Sequence, residues 1–585
     1  MSVLKRILKN PETIPIKLIR AIKRLKTLEY ENNHPENINK NTFIFNKIEN
    51  TEILKEANKV LNKEYEIFNK TYNIEKIDWH KDYNSEYIWP LEDYNLDKEG
   101  TDKKIPWELS RFQHLTTLAL AYNQTKEEKY SNEINNQIKD WIHNNPFGKG
   151  INWCTPMECA VRAINLIQIY FLVDKLESKE ILTLIYNHGR YIKENLEWTP
   201  AKENHYLTDL LGLLWIGILF NEEEWIKFSK KELEKEIRNQ VSENGVDYES
   251  SLNYHRLVTE IFIITLILAT KNNIELTNTF KSRIENMCEF IMYYTPESGN
   301  APSIGDTDNS RILDIWDKNI NNHRELLAIG SVLFKREDFK AYATTNPKLF
   351  LILNKNQYES IKPNKPELIS KAFTDYYILR TKEIFLLIHC GSIGRNNFGG
   401  HGHNDQLSFV LSTKTDFIID PGTYTYTSDL KLRNIFRSTS YHNTILLEKQ
   451  EQNIIESPFN MGHKSHAKLI KFESNSERDI FIGEHQGFNQ KVRRQIILDK
   501  KEKKIIITDS IEKEDTLTLN LHLNQDTKIE KIKNKLKLND SLIIETEEKP
   551  IILDTFYSEN YGKITPSKAI QIKKTGKNLT TKINF

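Results

Sequence analysis

Histidines, a carboxylate and glycines are concentrated between residues 396 and 444, where their types and spacing could support chemistry. His401 and His403 lie among three glycines, Asp420 precedes a Pro-Gly pair, and His442 follows in the same stretch. A glycine-rich bend lets the backbone approach a ligand or a metal without interference from Cβ atoms. Alternate residues of an extended segment share a face, so we expect His401 and His403 to point the same way.

Three of these side chains form a candidate metal site. His403, Asp420 and His442 offer nitrogen and oxygen ligands that suit zinc, and three protein ligands with one open position are the usual catalytic arrangement. A His-x-His pair by itself is equally explained by two histidines that hydrogen-bond in a turn. The presence of Asp420 and His442 nearby favours the metal site.

Two strands and two turns are predicted to hold these side chains. Residues 407–411 alternate in the manner of a half-buried strand, and residues 417–419 form a second apolar run that ends at Asp420. Short alternating segments of this kind recur from about residue 366 onward. They predict an all-β domain, most simply an antiparallel sandwich.

Between about residues 45 and 360 the pattern is helical, because apolar residues recur at spacings of three and four. Predicted helices include residues 108–122, 158–176, 180–195, 207–220 and 258–270. Periodicity alone does not choose between a bundle, a superhelix and a toroid of helical hairpins. Residues 361–366, which contain two prolines, are the predicted linker.

Length and charge limit the class of protein. A chain of 585 residues is too long for one core and predicts several domains. Its 82 lysines and arginines nearly balance 81 aspartates and glutamates, so no global field favours nucleic acid, and an acidic substrate would need a local basic pocket. The four cysteines have no CxxC spacing, which argues against a disulfide framework and a thiolate zinc site.

Residues 1–45 form a basic extension that is predicted to lie on the surface of the helical domain. It lacks the apolar core and cleavage site of a secretory signal, which predicts a cytoplasmic location. The longest apolar runs, at 210–220 and 261–269, are too short to cross a bilayer, so we expect no transmembrane segment. The sequence carries no signal for an oligomeric state.

Polar side chains that packing does not require occur at four places in the helical half. Asn204 and His205 precede a strongly apolar helix, and residues 246–255 are dense in ionisable and hydroxyl groups. Glu158 and Arg162 have the four-residue spacing of an ion pair on a helix surface.

The fourth place is the segment 302–308, which carries Asp306 and Asp308. By themselves, these aspartates are best explained as turn and cap residues.

Three motifs carry a resemblance to a known family. GGHGHNDQLSF at 399–409, IIDPGTYTY at 418–426 and RNIFRSTSYHNT at 433–444 closely resemble the C-terminal domain of the heparinase II/III family of polysaccharide lyases, which is related to the oligoalginate lyases. The resemblance implies an incomplete (α/α) toroid over residues 46–360, with a polymer on its concave side. It implies an antiparallel β-sandwich over residues 366–585.

The resemblance also implies roles for individual side chains. Asn204 and His205 resemble the pair that faces a uronate carboxylate, Tyr254 resembles the catalytic tyrosine, and His401 resembles the histidine opposite it. Without the family context, His205 as a helix cap and Tyr254 as a core tyrosine would be sufficient explanations.

His403, Asp420 and His442 resemble the family's metal ligands, which implies one divalent ion, zinc, that orders the loop carrying His401 instead of activating water. Further substrate-binding candidates are Glu249, His255, Arg433 and Arg437. An arginine could hold a carboxylate or sulfate in a bidentate fork, although a structural salt bridge explains either arginine equally well.

The implied chemistry is β-elimination at a 4-linked uronic acid. Removal of the C5 proton creates negative charge on the carboxylate, which Asn204, His205 and His401 could stabilise. Tyr254, with an ordinary pKa of about 10, could act as the base only where positive charge favours its phenolate. For a sugar whose C5 proton and O4 lie on opposite faces, His205 or His401 would be the base and Tyr254 the acid.

Two other functions stay open at this point. The three metal-ligand candidates could activate water in a glycan hydrolase, and a lyase scaffold could bind an acidic glycan without cleaving it. In each case the expected partner is a uronate-containing polysaccharide or oligosaccharide. The family resemblance implies a periplasmic or envelope location, whereas the N-terminus favours work on imported oligosaccharides or on the cell's own surface polysaccharide.

Overall fold

The computed structural model of the chain describes residues 29–40, 45–92, 98–198, 202–394, 399–448, 450–462, 465–532, 535–539 and 541–585. Most of the predicted N-terminal extension lies outside the described residues. The described part begins with helices and continues with antiparallel strands, as the sequence predicts.

The first part contains a small hairpin, β1 (Glu64–Ile67) and β2 (Lys70–Asn73), together with most of the helices. In chain order these helices are α1 (Thr51–Leu61), α2 (Lys104–Ser110), α3 (Gln113–Thr125), α4 (Glu128–Asn144), α5 (Pro156–Leu172), α6 (Ser178–Asn195), α7 (Asn204–Phe220), α8 (Glu223–Gln240), α9 (Leu252–Lys271), α10 (Asn278–Tyr294), α11 (Glu325–Phe334), α12 (Glu337–Tyr342) and α13 (Lys355–Ser360).

The long helices form two layers. Helices α3, α5, α7, α9 and α11 contact one another in sequence, and α4, α6, α8 and α10 each pack on the preceding member of that series. The inner helices α5, α7 and α9 are buried around nearly their whole circumference, while α4, α6 and α8 bury one stripe. An (α/α) toroid requires this pairing; its closure into an incomplete ring stays a prediction.

Two helix predictions need correction. The predicted helix 108–122 is two helices, α2 and α3, because the chain turns at Phe112 with φ +64. Helix α9 begins at Leu252, where Ser251 accepts a hydrogen bond from the backbone N–H of Tyr254. Its 20 residues make α9 the one helix in the described ranges that has the length and hydropathy of a membrane span, yet the protein interior buries nearly all of it.

Between α13 and the next strand, residues 361–370 form no helix or strand. The later elements are β3 (Lys371–Ala372), β4 (Tyr376–Arg380), β5 (Phe385–His389), β6 (Phe409–Ser412), β7 (Asp416–Ile418), α14 (Leu430–Phe436), β8 (Ile445–Leu447), β9 (Ile455–Ser457), β10 (Asn460–Met461), β11 (Lys468–Ser474), β12 (Arg478–His485), β13 (Val492–Asp499), β14 (Lys504–His522), β15 (Ile529–Ile532), β16 (Lys535–Leu538), β17 (Leu542–Thr546), β18 (Ile551–Tyr557) and β19 (Thr565–Asn584).

These strands form two antiparallel sheets and a small hairpin of β9 and β10. One sheet has the order β3-β4-β5-β6-β7. The other has the order β11-β12-β13-β14-β19-β17-β16-β15, with β8 paired to β14 and β18 paired to β19. The predicted antiparallel β domain is thereby confirmed.

The five-stranded sheet is the middle layer of the molecule. Leu386 and Ile388 of β5 pack into the core shared with the larger sheet, whereas Phe385 and Leu387 of the same strand pack into the core of the helical part. Strand β5 is therefore buried on both faces instead of being half-exposed. Because one sheet serves both cores, the loops at its strand ends have defined positions against the helices.

Candidate active site

Tyr254 and His401 meet where the helical part and the sheets join. Tyr254 lies in the first turn of α9, and His401 lies in the glycine-rich loop between β5 and β6. Their rings are stacked, with centroids 3.7 Å apart and an interplanar angle of 17°. The family resemblance implies that these two residues lie opposite each other; in the structure their rings are in direct contact.

Asp306 is the anchor of the glycine-rich loop. Its carboxylate lies 3.0 Å from Nδ1 of His401 and 2.9 Å from Nε2 of His403. It also accepts hydrogen bonds from both terminal nitrogens of Arg433. Its backbone N–H also donates to the carbonyl of His401 at 2.9 Å. Burial disfavours the charged form, but Arg433 and the two histidines hold the pKa of Asp306 well below its usual range.

The predicted shared direction of His401 and His403 is confirmed, since both bind one carboxylate. The interpretation of Asp306 as a turn residue is wrong. No local signal distinguishes it, because its three partners come from other parts of the chain.

The hydroxyl group of Tyr254 lies among acidic groups. It donates to Oδ2 of Asp308 at 2.8 Å and lies 3.1 Å from the hydroxyl of Tyr426. Burial, followed by the charges of Asp308 and Asp306, raises the pKa of Tyr254 well above its ordinary value. A base role for Tyr254 requires positive charge at its hydroxyl, whereas the groups that this hydroxyl contacts are a carboxylate and a second phenol, so the environment favours the neutral phenol.

Asp308 is itself paired with a lysine from the helical part. Nζ of Lys104 donates to Oδ2 of Asp308 at 2.5 Å. Burial opposes the charged form of Asp308, but Lys104 holds the pKa of this carboxyl below its usual range. Sequence reasoning assigned Asp308 to a turn and did not single out Lys104; both contribute to the site.

Asn204 and His205 begin α7, close to Glu249. The backbone N–H and the side-chain amide of Asn204 donate to the two carboxylate oxygens of Glu249, each at 2.8 Å. Oε2 of Glu249, which accepts from the Asn204 side-chain amide, also lies 3.8 Å from Nε2 of His401. Burial, together with the charges of Asp247 and Glu203, raises the pKa of Glu249 well above its usual range.

His205 is the more accessible member of this pair. Its side chain is 44% exposed, whereas Asn204 is fully buried. Nδ1 of His205 lies 3.1 Å from Oε2 of Glu197. Desolvation opposes protonation, but the Glu197 carboxylate raises the pKa of His205, so its imidazolium is favoured beside Asn204.

Three of the four substrate-binding candidates are structural in this arrangement. Arg433 is fully buried against Asp306, and Arg437 donates to the backbone carbonyls of Ser457 and Pro458 at 2.8 and 2.9 Å. His255 lies inside the helical core, where burial lowers its pKa to about 4. The remaining candidate, Glu249, lies in the site but binds Asn204.

The predicted surface ion pair on α5 is also wrong. Glu158 and Arg162 are both buried. Glu158 accepts from Arg111 at 2.8 and 2.7 Å, and Arg162 donates to His188 at 2.9 Å. Their four-residue spacing therefore serves two separate buried contacts.

His403, Asp420 and His442 converge as the sequence predicts. One potential ligand atom from each lies within 4.8 Å of the others, and all three residues are buried. Nδ1 of His442 is 2.9 Å from Oδ2 of Asp420. Nδ1 of His403 and Nε2 of His442 have no hydrogen-bond partner among the residues that the structure describes.

These unpaired nitrogens indicate whether the three residues fit a metal. A buried polar atom without a partner costs free energy, and a bound cation would satisfy it. His403 is oriented through its other nitrogen by Asp306, which is the usual support for a metal-ligating histidine. The donor set and its unsatisfied atoms therefore fit a divalent ion.

The catalytic candidates are nearly enclosed. Tyr254 is 4% exposed and His401 is 8% exposed. Phe459, in the turn between β9 and β10, is exposed, and its ring centroid lies 6.1 Å from that of His401. The side chains of His205 and Phe459 thus lie at the solvent-accessible border of the cluster.

Two family models match the chain. Heparinase II/III N-terminus matches residues 18–329, and Heparinase II/III-like, C-terminal matches residues 366–585. Among curated proteins, a heparin-sulfate lyase of Pedobacter heparinus is 23% identical over 490 residues, covering 78% of this chain and 67% of that protein. A heparin-sulfate lyase of Bacteroides thetaiotaomicron is 24% identical over 452 residues, covering 72% of this chain and 61% of that protein.

Solved structures show the same fold. A crystal structure of heparinase III has a TM-score of 0.73 at 18% identity and covers 99% of this chain and 91% of its own. Heparan sulfate lyase HepC from Pedobacter heparinus has a TM-score of 0.60 at 21% identity, and the match covers 100% of this chain and 91% of HepC. A chondroitinase AC lyase has a TM-score of 0.54 at 9% identity, and the match covers 92% of this chain and 81% of that enzyme. With family models over both its helical and its β part, the chain belongs to the heparinase II/III family.

Proposed function

We propose that the protein is a polysaccharide lyase that cleaves a uronate-containing glycosaminoglycan by β-elimination and leaves a 4,5-unsaturated uronide. The single observation that carries this proposal is the contact between Tyr254 and His401, which brings a phenol and an imidazole from two domains into one site beside Asn204 and His205. The relatives named as heparin-sulfate lyases, and the fold shared with chondroitinase AC lyase, support a glycosaminoglycan as the substrate class.

Recognition of the uronate carboxylate would fall to His205 and Asn204. The His205 side chain is partly exposed, and the Glu197 carboxylate raises the pKa of its imidazole against the effect of burial, so it can receive the sugar carboxylate directly. Hydrogen bonds and positive charge at this place stabilise the enolate-like charge that develops when C5 loses its proton. Asn204 would join once the sugar carboxylate takes the place of Glu249 at its amide.

Proton transfer would fall to Tyr254 and a histidine. The phenol of Tyr254 is neutral beside Asp308, which suits a general acid that protonates the departing O4. His401 is oriented by Asp306 through Nδ1, so its Nε2 is the nitrogen that is directed away from this anchor. This division of roles corresponds to a sugar whose C5 proton and O4 lie on opposite faces.

His403, Asp420 and His442 would hold one divalent ion, with zinc preferred by their nitrogen and oxygen donors. When bound, the ion would order this part of the loop. His403 bridges the two clusters, since it binds Asp306 through Nε2 and presents Nδ1 to the triad. A metal at the triad would therefore restrain His401 through the shared Asp306.

The test is an absorbance assay for the unsaturated product in the near ultraviolet. Heparan sulfate, chondroitin, hyaluronan, alginate and glucuronan would be offered to the wild type and to Tyr254→Phe, with and without chelator. Because general acid–base groups contribute roughly 10²- to 10⁴-fold, we expect Tyr254→Phe to lose activity by this order. Tyr130→Phe is a matched control, because Tyr130 is buried, donates to Asn58 at 3.1 Å and lies outside the site.

Two results would contradict the lyase. Cleavage without ultraviolet absorbance, accompanied by incorporation of oxygen from solvent water, would identify a hydrolase that uses the triad to activate water. Equal binding of acidic glycans by the wild type and Tyr254→Phe, with no cleavage of any polymer, would identify a glycan-binding protein.

A further inference from the structure

Asp308 connects the hydroxyl group of Tyr254 to a buried lysine. Its Oδ2 accepts from Tyr254 at 2.8 Å and from Lys104 at 2.5 Å, and its Oδ1 accepts from the backbone N–H of Ser310 at 2.9 Å. The side chains of Lys104 and Asp308 are only 9% and 3% exposed. Because both oxygens are engaged and the pair is shielded from water, the carboxylate has one defined orientation toward the phenol.

The hydroxyl of Tyr426 completes this arrangement. It lies 3.1 Å from the hydroxyl of Tyr254. The hydroxyl of Tyr254 has one hydrogen, which it donates in the hydrogen bond to Asp308. Tyr426 is therefore the donor in the hydrogen bond between the two hydroxyl groups. The phenol oxygen of Tyr254 therefore has a defined donor on one side and a defined acceptor on the other.

We propose that Asp308, charge-balanced by Lys104, is a positioning residue that keeps the hydroxyl proton on Tyr254, so that Tyr254 enters the elimination as the proton donor to O4. This inference rests on the proposed lyase function. In the step, the C5–H bond breaks and its proton passes to a histidine nitrogen. The electron pair forms the C4=C5 double bond, the C4–O4 bond breaks, and O4 takes the proton of Tyr254. Solvent then returns a proton to the phenolate and removes one from the histidine.

The charged and titratable groups around Tyr254 come from several segments. Asp306 and Asp308 belong to the segment between α10 and α11, Tyr426 follows β7, and His401 stacks on the ring from the glycine-rich loop. Burial and the two carboxylates raise the pKa of Tyr254, while the hydrogen bond from Tyr426 opposes them.

Asp308 has its own charged neighbours. Lys104 of α2 is in contact with it, and Glu108 and Arg111, on the same stretch of chain, interact with it through space. Of these, Lys104 and Arg111 favour the charged carboxylate and Glu108 opposes it. The net effect holds the pKa of Asp308 below its usual range, so its charge persists at neutral pH.

The first experiment needs no substrate. A fluorinated tyrosine, whose phenol is intrinsically more acidic, would be placed at position 254 of the full chain, and its ionisation would be followed by ¹⁹F NMR. We expect Asp308→Asn to lower the pKa of this phenol by roughly one unit or more, a tenfold change in its ionisation constant. Asp308→Glu keeps the negative charge and is expected to stay near the wild type. An unchanged pKa in folded Asp308→Asn would overturn the proposal.

A second group of a tyrosine, a carboxylate and a lysine provides the matched control for Asp308→Asn. Tyr206 donates to Oε2 of Glu232 at 3.0 Å, and Nζ of Lys202 lies 3.5 Å from the same oxygen. Glu232→Gln removes a carboxylate from a buried tyrosine and a partly buried lysine, neither of which hydrogen-bonds to Tyr254. We expect it to leave the ionisation at position 254 unchanged, which separates a local effect of Asp308 from a general loss of buried charge.

The second experiment tests the direction of proton transfer through the pH dependence of kcat and KM. We expect Asp308→Asn to move the alkaline limb of kcat to lower pH, because its phenol ionises more readily, with KM changed less than about twofold. A rise in kcat at neutral pH would show that Tyr254 acts as a phenolate base, and an unmoved limb would show that Asp308 is only structural. If the wild type cleaves no polymer, the proposed function fails, while the ¹⁹F titration still decides whether Asp308 holds the proton.

Discussion

Two carboxylates organise the histidines of this protein in opposite ways. Asp306 is saturated, with two histidines and Arg433 on its two oxygens. Asp420 has His442 on one oxygen and the backbone N–H of Gly422 on the other, but the nearby His403 and His442 each retain a buried nitrogen without a partner in the described part of the chain. A saturated cluster holds side chains in place by itself. An unsaturated one offers free nitrogens to a ligand, which is why we propose that the first cluster positions side chains and that the second binds a metal.

The strongest way to break this contrast is to remove Arg433. Arg433→Met leaves the charge of Asp306 buried with only two imidazoles beside it, and breaking a buried ion pair typically costs about 3–5 kcal/mol. We expect that loss in the free energy of unfolding, measured by urea denaturation, together with loss of activity.

Arg437→Met is the comparison for this variant. Arg437 is equally buried but donates to backbone carbonyls, so its removal exposes no buried charge and is expected to cost roughly 1–3 kcal/mol. An equal or larger loss in Arg437→Met would contradict the assignment of Asp306 as the anchor.

Zinc titration addresses the unsaturated cluster. We expect zinc to raise the Tm of metal-free wild type, with a stabilisation of about 2.7 kcal/mol at 100 times Kd. His442→Ala should remove the effect because it deletes one of three ligands. His114→Gln is the control, since His114 is hydrogen-bonded to Gln137 at 2.8 Å in the helical part, away from the triad. A persistent zinc effect in His442→Ala would place the ion elsewhere.

We expect folding stability to respond to acid differently at Asp306 and at the histidines of the helical core. Burial lowers the pKa of His255 to about 4, so the unfolded chain binds a proton that the folded chain excludes. Stability is therefore lost as pH falls from about 6.5 toward 4, by about 3 kcal/mol for this residue. The pKa of Asp306 is lowered instead, so its contribution is retained until the pH falls below its unfolded value near 3.8.

The pH dependence of thermal unfolding would measure this difference. We expect His255→Phe to flatten the decline between pH 6.5 and 4 relative to wild type. A decline of unchanged slope would assign the acid sensitivity to other groups, of which His522, with a pKa lowered to about 4 by burial, is the next to substitute.

Patterns within short stretches predicted much of this molecule. Helical spacing before residue 360 and alternation after 366 identified the two halves, because side-chain periodicity follows local backbone geometry. The convergence of His403, Asp420 and His442 and the meeting of Tyr254 with His401 were also predicted, because motif context accompanied them. By contrast, Glu158 and Arg162 were misassigned, since a four-residue spacing does not reveal whether a helix face is exposed.

What the sequence determined by itself was the order of elements and the chemical types available: a phenol, histidines and carboxylates in recognisable contexts. Only the tertiary structure decided which carboxylate each of them faces. Asp306 and Asp308 are two residues apart, yet one binds the histidines of the loop and the other binds the phenol and Lys104. The physical reason is that charge pairing in a buried site depends on distances between segments remote in the chain, which local pattern does not encode.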